Sequence, residues 1–498
     1  MNLLLLADMA AAGRPDEVAL KAGHDTLTPT ELLAGAWAGA ALVDGADVLA
    51  FVGTNGLAFP LALFAAAAAE VPFVPLNYRL SDEQLHELLE PLGRALVIAE
   101  GEVGDHLAAR GHRVISTDDF VAAARAGAEI GDLPFDAEAT AVLLYTSGTT
   151  AAPKAAVLRH RHLTSYIIGT VEFGGAGEHE AVLVSVPPYH IAGIANLLSN
   201  LYAGRRIVYL TQFDAQSWVD AVRREQITNA MVVPTMLSRI CDLVEAEGEG
   251  LPTLRSLSYG GARTPSTVLR RVMRLLPHVD LVNAYGLTET SSTIAVLGPE
   301  DHRAARDGDP VAIDRLSSVG RVLPTVEVQV RGPDGRPVAA CEPGEIWVRG
   351  EQVSGEYAGR DNPLDDDGWF PTRDRGWVDE EDYLFVEGRA DDTIIRGGEN
   401  VAPAEVEEVL LSHPDVAECA VVGLPDDEWG QRIAAVVVPV DGSTPDADAL
   451  REHVRTQLRG SKTPDVVVFH ETLPHTETGK LLRRVVQSDL QSELDAGA

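Results

Sequence analysis

Two hydrophobic periods alternate along the first part of the chain. Apolar residues at helical spacing over 27–42, an almost wholly apolar run over 56–69 and an amphipathic stretch over 82–92 predict helices. Short apolar runs at 47–52, 73–76 and 95–99 predict buried strands. The alternation continues with strands at 142–145, 181–186, 206–209, 230–233, 257–259 and 281–283, and helices at 191–202 and 217–225. Strands alternating with helices imply βαβ units, so the expected fold class is α/β with mixed, largely parallel sheets. From Val319 the texture changes to short segments rich in Val, Gly and Pro. VEVQVRGPDGRPV reads as a hairpin, and GEIWVRG and DYLFVEGRA as further strands of a β-rich subdomain over about 319–390. Beyond Asp391 a compact α+β pattern follows, with helices at 404–411 and 446–458 and strands at 418–422, 434–438 and 466–469. The expected organisation is a large N-terminal domain, 1–390, and a small C-terminal domain, 391–498.

At 498 residues the chain can bury more than one core. Its formal charge of −35 argues against a nucleic-acid surface, which needs clustered Lys and Arg, and means that any bound nucleotide is held by a local positive patch. Cys241, Cys341 and Cys419 are far apart and have no zinc-site spacing, which fits a reducing cytoplasm. The leucine run at the N-terminus lacks a basic flank and is not expected to be a signal peptide. The most apolar window, 60–76, is interrupted by Glu70, Pro72 and Pro75, so core rather than a membrane span is expected.

The chemistry concentrates in LLYTSGTTAAPKAA, residues 143–156. After a buried strand come Thr146, Ser147, Gly148, Thr149 and Thr150, then Pro153 and Lys154. Turn N–H groups, hydroxyls and an ammonium suit an anion, whereas a polar surface loop is the plainer alternative. The spacing does not match GxxxxGK[ST], so this is not a Walker loop. The stretch resembles the phosphate-loop signature YTSGTTGxPKG of the adenylate-forming superfamily, in its acyl-CoA synthetase and aryl-CoA ligase branch, with Ala151 and Ala155 at two of its glycines.

Five further segments resemble that superfamily's signatures in the same order. In Pro187-Pro188-Tyr189-His190 the resemblance implies that His190 lies beside the substrate carboxylate, a core histidine at a strand-to-helix corner being the plainer alternative. Gly260, Gly261 and Ala262 follow a strand and, by resemblance, border adenine and the acyl group. In Asn283-Ala284-Tyr285-Gly286-Leu287-Thr288-Glu289 the resemblance implies that Tyr285 stacks on adenine, Asn283 lies near its amine, Thr288 contacts the α-phosphate and Glu289 holds Mg²⁺. An aromatic face for a purine and a hard oxygen for a hard cation fit those roles. Asp374, in TRD where the family has TGD, is implied to accept the ribose hydroxyls, with Arg389 assisting; Arg373 stands at the glycine position. Lys480, in HTETGKLLRR, occupies the place of the adenylation lysine.

The implied activity is that of an AMP-forming acid:CoA ligase: a small or medium carboxylic acid and Mg-ATP give acyl-AMP, and CoA then takes the acyl group. The implied acyl pocket comprises His190, Ile191, Gly193, Asn196, Gly261, Leu287 and Ser291, whose small or apolar walls suit an uncharged aryl or alkyl acid, while Arg263 could instead select a diacid. Implied CoA contacts are Gly397, Gly398, Glu399, Trp429 and Arg79; ordinary core packing is the alternative for Trp429, and Lys462 could help where GSKT replaces a more basic stretch. Asp391 sits at the implied hinge of a mobile lid. Ile191, at the place where amino-acid adenylation domains carry an aspartate, disfavours an amino acid, and no insertion of the fatty-acyl-AMP ligase kind precedes the hinge. An acyl carrier protein is the alternative acceptor. A monomer or homodimer is expected, as is a place in fatty acid metabolism.

Overall fold

The apolar run that predicts a helix is one because it is buried all round: in the computed structural model every residue of helix Ala58–Ala68 is inside. Residues 1–146, 154–396, 399–426, 429–458, 460–476 and 480–497 are described. Helix Pro29–Leu42 packs beside it, its start fixed by a Thr28–Glu31 capping box and Pro29 in the first turn. A third helix, Leu4–Gly13, uses the N-terminal leucines as core.

Six strands form one sheet in the order Arg113–Ile115, Ala95–Ala99, Val48–Val52, Phe73–Pro75, Thr140–Thr146, Lys154–Arg159. All pairs are parallel except the last, in which Thr146 faces Lys154 across an antiparallel ladder. Thr146 and Lys154, which flank the hydroxyl-rich stretch, thus lie opposite each other on neighbouring strands. Ser147, Gly148, Thr149, Thr150, Ala151 and Pro153 lie outside the described residues.

The second sheet has thirteen strands among the described residues. Its parallel part contains Arg206–Tyr209, Ala181–Val184, Asn229–Val232, Ser256–Gly260 and Asp280–Leu287, close to the positions predicted. The β-rich region is hydrogen-bonded onto the same sheet through Gly320–Val322, with its own small core around Ile346, Val348 and Phe370. The predicted hairpin over 326–338 is corrected in part. Its turn closes, Gly335 N donating to Gly332 O at 2.9 Å, but strand Val326–Arg331 pairs along its length with Gly344–Gly350. Pro337 has no N–H to donate, so the intervening arm is held by the Arg331–Pro337 bridge and a bond from Val338 N to Val330 O.

The C-terminal residues build two cores of their own on either face of the sheet Val416–Asp426, Gly430–Pro439, Val466–Phe469. The last helix runs Arg483–Gly497. Among the described residues no helix is long and apolar enough to cross a membrane.

Candidate active site

Strand Asp280–Leu287 lies against Ser256–Gly260, and two glycines set how close the backbones come. A Cβ on Gly260 would stand 2.2 Å from Ala284 O, and one on Gly286 would stand 1.8 Å from Ser292 O. No other residue fits either place. The strand ends in the turn Thr288–Thr290, held by Thr290 Oγ1, which accepts from Leu287 N at 3.0 Å. Ser291 at φ +55° then reverses the chain into Ser292–Leu297. Gln352, fully buried, donates to Thr290 O and Thr293 O and braces the turn from behind.

Glu289 is buried at this turn and accepts a 2.5 Å hydrogen bond from Tyr357 Oη on its Oε1. The Lys154 ammonium lies 5.6 Å from the centre of the same tyrosine ring. The lysine closing the hydroxyl-rich loop and the acidic residue of the turn therefore share one aromatic side chain. Burial, with the Glu289 carboxylate beside it, pushes the Tyr357 hydroxyl well above its ordinary range, so it stays a donor.

Asp374 and Arg389 face each other on adjacent strands, Phe370–Val378 and Tyr383–Arg389. Arg389 Nε is 3.2 Å from Asp374 Oδ1, and Tyr285 Oη donates to Asp374 Oδ2 at 2.5 Å. Burial raises the Asp374 carboxyl above the usual range, opposed first by the Arg389 charge and then by the Tyr285 hydroxyl. Lys480 comes to the same place from the far end of the chain. Its side chain is exposed to solvent in a cleft, yet protein atoms crowd it enough to lower its ammonium below the ordinary range. Arg389 adds to that lowering, while Asp374, Asp392 and Glu289 oppose it. Lys480, Asp374, Arg389 and Glu289 thus feel one another's charge.

His190 caps helix Ile191–Ala203, its ring 4.6 Å from that of Tyr189. Burial lowers it to about 4, so the imidazole is neutral near pH 7. Gly193 lets the helix start against Pro187 O, which would stand 2.6 Å from a Cβ there. Asn196 accepts from Asn200 Nδ2 at 2.7 Å, and Asn200 in turn accepts from Arg205. Ser291 is fully buried, and its Oγ has no hydrogen-bond partner among the described residues.

Two family models match the chain: "AMP-binding enzyme" over residues 7–358 and "AMP-binding enzyme C-terminal domain" over residues 405–480. The chain belongs to the AMP-binding enzyme family. A feruloyl-CoA synthase of an Amycolatopsis species is 35% identical over 483 residues, covering 95% of this chain and 96% of that protein. The fatty acid–[acyl-carrier-protein] ligase ScoC of Streptomyces coeruleorubidus is 32% identical over 455 residues, 88% of this chain and 86% of that protein. Among solved structures, the o-succinylbenzoate CoA synthetase of Bacillus subtilis with its acyl-adenylate superposes at a TM-score of 0.84, with 29% identity and 98% of both chains covered. That synthetase has also been solved with ATP and magnesium. This AMP-binding enzyme is an AMP-forming acid:CoA ligase that works through an acyl-AMP with ATP, Mg²⁺ and CoA.

The residues present fit those groups. Glu289 Oε2 has no hydrogen-bond partner among the described residues and is free to meet a hard cation. No group of three His, Cys, Asp or Glu suited to a metal occurs among the described residues, and an ion shared between one carboxylate and phosphate oxygens needs none. On the CoA side, Gly397 and Gly398 fall outside the described residues, as do the contacts of Glu399. Trp429 is 47% exposed with Arg396 5.7 Å from its ring centre, so core packing does not explain it. Arg79 lies over Tyr78, Tyr78 packs edge-on to Tyr189, and Tyr189 tilts against His190, which joins the surface arginine to the buried imidazole through a chain of ring contacts. Lys462 is engaged by Glu405 at 2.6 Å. Arg263 pairs with Glu408 of helix Pro403–Leu411 in this arrangement, away from a diacid role. The sequence reading missed Tyr357 and Gln352. Each is a single polar residue in a β-rich stretch, and only the strand pairing behind the turn brings it to Glu289 or Thr290.

Proposed function

We propose that residues 1–390 hold both substrates and that residues 391–498 form a lid delivering Lys480 for adenylation. Thr146, Ser147, Gly148, Thr149, Thr150 and Lys154 grip the β- and γ-phosphates. Tyr285 offers its face to adenine between Gly260, Gly261, Ala262 and Gly286, with Asn283 toward the amine. Asp374, steered by Arg389, accepts the ribose hydroxyls. Thr288 donates to the α-phosphate, and Glu289 would hold the magnesium ion, which would supply positive charge to the phosphates. A carboxylate oxygen attacks the α-phosphorus, the bond to pyrophosphate breaks, and Lys480 stabilises the charge gathering on both partners. The CoA thiolate then attacks the acyl carbon and AMP leaves with the bonding electrons, CoA approaching past Gly397, Gly398 and Glu399 with Trp429 and Arg79 at its nucleotide end. The observation carrying this reading is the convergence of Lys480 with Asp374, Arg389 and Glu289 from remote parts of the chain.

The acid has an apolar, aromatic body. Support comes from the neutral His190, which donates to a carboxylate without bringing a charge into the pocket, and from relatives named for feruloyl and o-succinylbenzoyl substrates. Ile191, Gly193, Asn196, Leu287 and Ser291 line the remaining wall. A pyrophosphate-exchange screen over aryl, alkyl and dicarboxylic acids, followed by thioester assays with CoA and with acyl carrier protein, tests both points. Aryl acids should exchange fastest; exclusive transfer to carrier protein, the acceptor in ScoC's name, would displace CoA. The three cysteines are free, in keeping with a cytoplasmic enzyme.

Tyr357 orients Glu289, so Tyr357→Phe should raise the magnesium concentration needed for adenylation by roughly 10- to 100-fold. The ring that Lys154 covers is kept in this variant. An unchanged magnesium titration would remove Tyr357 from the site.

A further inference from the structure

Helix Leu4–Gly13, helix Ile191–Ala203 and the segment 173–174 line a cavity of about 130 Å³. Its walls are tied in place. Gly174 N donates to Tyr202 O at 3.0 Å and Ala176 N to Ala203 O at 2.9 Å. Arg14 reaches across from the end of the first helix and donates to Gly204 O at 3.1 Å and Ala176 O at 2.9 Å. Ala10, Gly13, Pro29, Phe173 and Leu201 make the lining largely apolar. The two cations in it are already matched, Arg14 lying 3.5 Å from Glu17 and Arg205 2.8 Å from Glu180. Tyr202 is not matched. It lines the cavity, is 7% exposed and packs its ring on Phe173 with centres 5.2 Å apart, yet its hydroxyl has no hydrogen-bond partner among the described residues. A buried hydroxyl ordinarily has one. The cavity is also far from the reacting groups: Tyr202 stands at one end, and His190 at the other, of a 13-residue helix about 20 Å long.

We propose that this cavity is a second small-molecule site, separate from the acyl pocket, and that it takes one uncharged ring bearing a hydroxyl, a ligand of the phenol class. The size fits, since an apolar cavity of about 150 Å³ holds one benzene ring. The apolar lining and the partly exposed Phe173 receive the ring, and the Tyr202 hydroxyl pairs with the hydroxyl of the ligand. An anion is disfavoured, because both arginines are already paired with carboxylates and the chain as a whole carries −35.

The test measures equilibrium binding of phenol and of toluene, its counterpart without the hydroxyl, to the full chain, to Tyr202→Phe and to Gly13→Leu. A Cβ at position 13 would meet only Phe173 Cζ within 4 Å, at 3.5 Å, so a longer side chain there has room to grow into the cavity. Phenol should bind the parent with a dissociation constant of about 1 mM. Tyr202→Phe should lower the ratio of phenol to toluene affinity by about fivefold, the scale of one neutral hydrogen bond, while toluene binding holds. Gly13→Leu should lose both ligands, and a supplied acyl-AMP should displace neither from the parent, because the acyl pocket is at the other end of the helix. No binding of phenol to the parent, displacement by acyl-AMP, or an unchanged ratio in Tyr202→Phe would each overturn the site, as would undiminished binding by Gly13→Leu. If Gly13→Leu melts far below the parent, the ratio in Tyr202→Phe decides alone.

Discussion

Lys480→Ala should lose acyl-AMP formation by about 10²–10³-fold while transferring a supplied acyl-AMP to CoA at close to the parental rate. The size follows from the removal of one donor aimed at charge that develops in the transition state, and the selectivity from where the lysine stands. Its ammonium shares a field with Asp374, Arg389 and Glu289, the residues proposed above to bind ATP, and the proposed thioester step does not use it. The pH profile should carry a matching signature. Crowding and the Arg389 charge lower the lysine, and only its protonated form stabilises the reacting oxygens. Adenylation should therefore decline on the alkaline side at a lower pH than an ordinary lysine would set. Asp374 works in the other direction. Burial raises it and ribose hydroxyls need its ionised form, so the acid limb should lie above the ordinary carboxylate range. Rapid quench of the two half-reactions separates the effects. Equal loss of both steps in Lys480→Ala would mean that the lysine supports folding or both chemistries, and the lid proposal would fall.

What could be read from the sequence divides along a physical line. Helix Ala58–Ala68 and strand Ala95–Ala99 were legible because burial on all sides leaves an unbroken apolar run, and helix Ile191–Ala203 because Gly204 stops it in a left-handed cap. Strand Lys154–Arg159 was not legible. KAAVLR is too short to show a period, and it becomes a strand only by pairing with Thr140–Thr146 and lying beside Tyr357. Helix Leu4–Gly13 escaped for another reason: it has apolar residues all round, so its leucines carry no helical stripe. The site follows the same rule. Tyr285, Asp374, Arg389 and Lys480 stood out through local motifs, and the structure brings them together. The bond from Tyr285 to Asp374 and that from Tyr357 to Glu289 cross the sheet, and no local spacing encodes them. Arg373 shows the limit most plainly. One letter marks a departure from glycine, but that the backbone there keeps a left-handed φ of +60° is visible only in the fold.

Asp391→Pro should produce the converse phenotype, with adenylation near the parental rate and CoA transfer slowed by roughly 10²-fold. Asp391 lies in the single turn Ala390–Asp392 that joins the last strand of the large domain to the first of the small one. A 3₁₀ turn has a φ close to the value that a proline ring imposes, so the ring is compatible with the present arrangement, in which Lys480 occupies the site. The proposed lid rotation would have to change backbone angles here. A barrier of about 3 kcal/mol, the order of a proline forced against its geometry, corresponds to the expected slowing. The side chain contributes little by itself, because its carboxylate is 3.9 Å from Arg484 and both are largely exposed. Asp391→Asn therefore serves as the control and should leave both steps intact. Arg483 is buried against Glu407 and lies 3.5 Å from Asp392, so in the proposed rotation the segment carrying Lys480 would move with helix Pro403–Leu411. The pair Arg263–Glu408 joins the two parts of the chain and would have to break in the proposed rotation. If Asp391→Pro transfers the acyl group to CoA as fast as the parent, the rotation does not pass through this turn, and the hinge must be sought elsewhere.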